Sequence, residues 1–196
     1  MENASTTPSS LDTPIPMVKL RYEEKVAKHR YRQVATMTLS LQSRRTFRFL
    51  RKEFHLVNIA LALLKCAEDD KYKSRKLATE SALKNAEEKA YEWSVRFTSS
   101  LAKIKYDPPV LQRVNISFTV LSPRAGRVVQ LIALIDTLCE QMLILEFHKQ
   151  ITFNDRNLVT QQLMEQLMLI KTAVTGKAEL NSPHELNEEA PQSIAA

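Results

Sequence analysis

The chain has 196 residues, 44% of them apolar, and a net charge of +6. That length and mixture suit one compact domain with a full core. Only two glycines, Gly126 and Gly176, occur. A phosphate-cradling loop or a dinucleotide fingerprint needs several close together, and no nucleophile-elbow, zinc-protease or kinase motif is present, so an enzyme is not expected.

The first 16 residues are polar, rich in Ser, Thr and Pro, and read as a disordered tail without the apolar stretch of a secretory signal. No apolar run approaches the roughly 18 residues that cross a bilayer. A cytoplasmic protein without membrane contact is expected. Residues 17–34 form a basic arm that includes Lys28, Arg30 and Arg32, read as a charged helix or a segment that orders on binding. Between Met17 and Lys52 eleven Lys or Arg face two Glu, whereas the tail from Lys177 carries four Glu against one Lys. A basic N-terminal third with an acidic tail suggests an anionic partner such as nucleic acid, the plainer alternative being a solvated basic helix.

From Ala35 to Gln42 the chain alternates: Met37, Leu39 and Leu41 are apolar, and Thr36, Thr38, Ser40 and Gln42 are polar. Period-two alternation predicts a strand with one buried face. Ser43 follows as a helix N-cap, then the basic stretch Arg44, Arg45 and Arg48. An apolar segment from Phe54 and a long amphipathic one from Tyr72 read as helices. Ala78, Ala82, Ala86 and Ala90 give the second a seam of small residues for close packing. Pro108 and Pro109 end that helix.

The same order then recurs. Val114, Ile116, Phe118 and Val120 alternate with Arg113, Asn115, Ser117 and Thr119. Ser122 and Pro123 open a helix with Arg124 and Arg127 in its first turns. Ser43 and Ser122 lie 79 residues apart, so the chain reads as a weak internal duplication. The second helix is strongly apolar; its stripe Leu131, Ile135, Leu138, Met142 and Leu145 suits a core or a dimer face. A turn near Thr152–Asn154 leads to a last helix closed by Gly176. Residues 177–196 read as an acidic disordered tail. Cys66 and Cys139 read as free buried thiols, and His29, His55, His148 and His184 form no metal cluster, so no metal or cofactor is expected.

Paired, the two strands make an antiparallel ribbon with one apolar and one polar face. The fold class is therefore mainly α with a small two-stranded antiparallel ribbon, over residues 35–176. The polar face holds the residue types that pair with base edges and has no acid. A major groove admits such a ribbon. An exposed sheet or a protein-binding face are the alternatives.

A polar-faced strand followed by a capped basic helix and a further helix resembles the ribbon-helix-helix DNA-binding superfamily. The segments "TLSLQSRRTFRFLR", "AEDDKYKSRKLATESALKNAEEKA" and "RVNISFTVLSPRAGRVVQLIALIDTLCEQMLILEFHKQITF" are similar to a family of conjugative-element proteins of about 200 residues. That resemblance implies a plasmid-associated activator of conjugative transfer genes, binding double-stranded DNA as a homodimer. By position it assigns base contact to Thr36, Thr38, Ser40, Gln42, Arg113, Asn115, Ser117 and Thr119. Phosphate contact falls to Lys28, Arg30, Arg32, Ser43, Arg44, Arg45, Arg48, Ser122, Arg124 and Arg127. The helix after Pro123 departs from the family pattern by running some 25 residues unbroken, leaving open whether the ribbon forms in one chain or between two. A conjugation scaffold meeting an acidic protein, and a non-specific DNA accessory protein, are the rival functions.

Overall fold

A computed structural model describes residues 17–19, 35–66, 72–105 and 112–176. The expected tails, and the arm beyond Lys19 with Lys28, Arg30 and Arg32, lie outside these. The order is β1 (Met17–Lys19), β2 (Ala35–Leu41), α1 (Arg44–Lys52), α2 (Phe54–Cys66), α3 (Lys73–Leu101), β3 (Val114–Val120), α4 (Pro123–Phe147) and α5 (Phe153–Thr175).

The two alternating segments are strands, and they pair with each other inside one chain. β2 and β3 run antiparallel over seven residues, from Ala35 opposite Val120 to Leu41 opposite Val114. This decides the open point: no second chain is needed to complete the ribbon. The sheet has a third strand that the alternation did not announce. β1 pairs in parallel with the other edge of β3, Met17 beside Asn115 and Lys19 beside Ser117, giving the order β1-β3-β2. The start of the arm is thus neither helical nor free. Three residues there take up backbone groups that a bare β3 edge would leave to solvent.

The apolar face of the sheet goes inward as the period required. Leu41, Ile116, Phe118 and Val120 are buried, and Met37, Leu39 and Val114 pack against the same core. Phe118 meets Phe54 of α2 edge to face, ring centroids 5.4 Å apart. Behind the sheet, α4 is the central helix. Its stripe Leu131, Ile135, Leu138, Met142 and Leu145 is at most 2% exposed, so it is spent on the core and offers no dimer face. α4 is also long and apolar enough to cross a bilayer, contrary to expectation, yet most of that length is buried in the fold. The small-residue seam of α3 faces inward at Ala86 and Ala90.

The ends of the elements follow their sequence signals in most places. Ser122 caps α4, its Oγ accepting from the Ala125 N–H at 3.2 Å, with Pro123 in the first turn. Thr152 and Asp155 form a reciprocal capping box at the start of α5, and Gly176 closes it in the left-handed region at φ 70°. The basic helix is interrupted at Glu53, separating α1 from α2; the buried Lys171 of α5 pairs with Glu53 at 2.8 Å. Cys139 is a free buried thiol, and burial pushes its pKa up.

Candidate nucleic-acid interface

The register of β2 and β3 sets polar residues opposite polar ones. Thr36 faces Thr119, Thr38 faces Ser117, and Ser40 faces Asn115. Successive side chains alternate faces, so these six share the side away from Leu39, Ile116 and Phe118. Exposure along this face is uneven. Thr36, Thr38 and Ser40 are exposed, Asn115 and Ser117 are half-buried, and Thr119 is only 7% exposed. β3 is the middle strand, flanked by β1 at Asn115–Ser117, while β2 forms an edge; Thr119 lies beyond β1, where Asn58 of α2 meets its carbonyl. Thr119 therefore leaves the set of expected base readers.

Gln42 leaves it as well. Both polar atoms of its amide are inaccessible and without a hydrogen-bond partner among the described residues. Its backbone N–H donates to Asp136 Oδ2 at 3.0 Å. Asp136, a buried acid in the middle of α4, also accepts from the Ser43 N–H at 2.9 Å and from the Thr46 hydroxyl. Ser43 makes no side-chain cap of its own. A carboxylate from the far half of the chain thus holds the N–H groups of Gln42 and Ser43 just ahead of α1, satisfying partly buried donors that would otherwise cost stability.

This end also carries side-chain charge. Arg44, Arg45, Arg48, Arg51 and Lys52 are all exposed along the nine residues of α1. Among the described residues no carboxylate lies within ion-pair distance of Arg44, Arg45 or Arg48. Arg51 and Lys52 were not among the expected phosphate contacts, although they follow Arg48 by three and four residues, as Arg48 follows Arg44 by four, which puts them on a continuous basic face. Ser43, Arg44 and Arg45 also border a cleft of about 360 Å³, shared with Gln112, Arg156 and Glu140. Arg113, expected to read bases, instead reaches Glu140, with its Nη2 3.0 Å from Oε2.

The other end of the ribbon is closed. Ser122 is 2% exposed, and its hydroxyl is committed to the cap. Arg124 Nε donates to Glu80 Oε2 at 3.0 Å. Arg127 spans two carboxylates of α3, bonding Glu80 and reaching Glu87 Oε2 with Nη2 at 2.7 Å. The Arg127 guanidinium, then that of Arg124, holds the Glu80 carboxyl below its usual range, and Arg127 in turn is raised by both acids. These three expected phosphate contacts are thus occupied by the fold. A second buried amide completes this end. Asn58 of α2 donates Nδ2 to the Thr119 carbonyl at 2.7 Å and accepts the Leu121 N–H on Oδ1 at 2.9 Å.

No protein-family model matches the chain, and no curated protein matches it. Among solved structures it is similar to AcaB from uropathogenic E. coli, determined as a crystal structure of the selenomethionine-containing protein. The likeness has a TM-score of 0.63 at 17% identity and covers 72% of this chain and 77% of that one. At that identity the shared property is the fold.

Proposed function

We propose that this chain is a sequence-specific DNA-binding regulator that presents the polar face of β2 and β3 to the major groove. The observation that carries the proposal is the register: it gathers Thr36, Thr38, Ser40, Asn115 and Ser117 on one acid-free face, with an exposed basic helix at one end of it. Hydroxyl and amide groups of this kind pair with base edges, and Arg and Lys pair with backbone phosphates without regard to sequence. Three strands put the outer strand axes about 10 Å apart at the usual spacing. A major groove is about 12 Å wide, and β1 is only three residues long. The two long strands are therefore the readers, with β1 along one groove wall.

The fold shared with AcaB supports the reading, as does the sequence resemblance to conjugative-element proteins, which points to activation of plasmid transfer genes. On this reading the chain works on DNA in the cytoplasm and performs no chemistry.

The test is selection of bound duplexes from a random pool, followed by a salt titration on the winning sequence. A defined consensus is expected, with affinity falling steeply as salt rises because neutralised phosphates release counterions. Equal retention of scrambled duplex would remove sequence reading and leave a non-specific accessory protein.

A further inference from the structure

The reading face is built from two different strands of one chain, and this fixes what shape of site it fits. An antiparallel ribbon has a local two-fold axis, which here passes between Thr38 and Ser117. Rotation about it exchanges Thr36 with Asn115, Thr38 with Ser117 and Ser40 with Thr119. None of these exchanges returns the same residue, and exposure differs on the two sides. The same offset of 79 positions along the chain pairs Ser43 with Ser122, Arg45 with Arg124 and Arg48 with Arg127, which follow opposite ends of the ribbon. Arg45 and Arg48 are exposed with no carboxylate partner among the described residues, whereas Arg124 and Arg127 are neutralised by Glu80 and Glu87. β1 extends only the β3 side. The apolar stripe of α4 that could have joined two chains is buried.

Resting on the groove-reading proposal above, we infer that one chain occupies one groove alone. It recognises a non-palindromic duplex and lies on it in a single orientation, held by backbone phosphates at the Ser43 end. A ribbon made of two identical strands from two subunits would read an inverted repeat, because the site mirrors the symmetry of its reader. This ribbon has no such symmetry to impose.

The full chain, bound to the duplex selected from a random pool, is weighed by native mass spectrometry and mapped by phosphate-ethylation interference. One chain per duplex is expected, on a consensus without dyad symmetry, with interfering phosphates concentrated on one flank. Two chains on an inverted repeat, or interference equal on both flanks, would overturn the inference while leaving groove reading intact. If no duplex is enriched at all, groove reading fails and the inference falls with it. A further comparison separates the two ends directly: R45A/R48A is expected to weaken binding about tenfold or more, and R124A/R127A less than about twofold.

Discussion

Arg45 and Arg124 occupy equivalent places, each two residues after the serine that ends a long strand. One is exposed and without a carboxylate partner among the described residues; the other is bound to Glu80. The same contrast holds for Arg48 and Arg127. The serines themselves diverge too, since the Ser122 side chain caps its own helix while Ser43 makes no side-chain cap and donates its N–H to Asp136. Beneath the contrast lies a reciprocity. Asp136 of the second half grips the backbone after β2, and Asn58 of the first half grips the backbone around the end of β3. Asn58 lies fifteen residues beyond Ser43 and Asp136 fourteen beyond Ser122, so the two clamps are near-equivalent positions. The repeated pattern is kept where it builds the frame and lost where charge meets the surroundings.

The clamps give the largest effects by which that comparison can be broken. Asp136→Ala strands two N–H groups and leaves the buried Thr46 hydroxyl only the Ser43 carbonyl as acceptor, and a stability loss of about 3–5 kcal/mol is expected at a penalty of about 1–3 kcal/mol per buried group. Asn58→Ala strands one carbonyl and one N–H and should cost less, about 2–3 kcal/mol. Urea unfolding monitored by circular dichroism measures both; an equal or reversed order would mean the two clamps are not comparable devices.

Next come the base readers. Asn115→Ala and Ser40→Ala face each other across the ribbon and should each flatten preference at one base position. The expected loss is up to about 1–3 kcal/mol for Asn115, which can bond an edge twice, and less for Ser40. Gln42→Ala, with its amide enclosed, should leave the consensus unchanged. Competition binding with single-base variants of the selected duplex checks all three, and a changed consensus for Gln42→Ala would put that residue back among the readers.

The smallest effect concerns acid. Glu80 has a folded-state pKa below its ordinary value, because Arg127 and Arg124 favour the carboxylate. Its contribution to stability is therefore complete above the ordinary carboxylate range and is lost as pH falls through the lowered value. The side chain is 42% exposed, so solvent screening keeps the contribution below about 1 kcal/mol. Glu80→Gln should flatten the acid limb of the stability curve slightly; an unchanged limb would show that the arginines gain nothing from that carboxylate.

Much of the frame could be read from the residues. Alternation located β2 and β3, Ser122 with Pro123 located the start of α4, and Gly176 located the end of α5, because each depends on neighbours within a few positions. The site was less legible for the opposite reason. Asp136 meets Gln42 across 94 positions, and Arg127 meets Glu87 across 40. No local period records such meetings. An acid set among Leu131, Ile132, Ile135 and Leu138 of α4 was the one available hint, since a buried carboxylate requires donors. The third strand was hidden because three residues are too few to show a period.

The paired grips of Asn58 and Asp136 have a further consequence. Neither half can satisfy the end of its own strand, so neither makes a self-sufficient folding unit. If the polypeptide were severed between α3 and β3, the pieces should stay unstructured apart and regain the native circular dichroism when mixed in equal amounts. The molecule would then serve as a ready-made complementation pair, reporting the meeting of whatever is fused to its two parts.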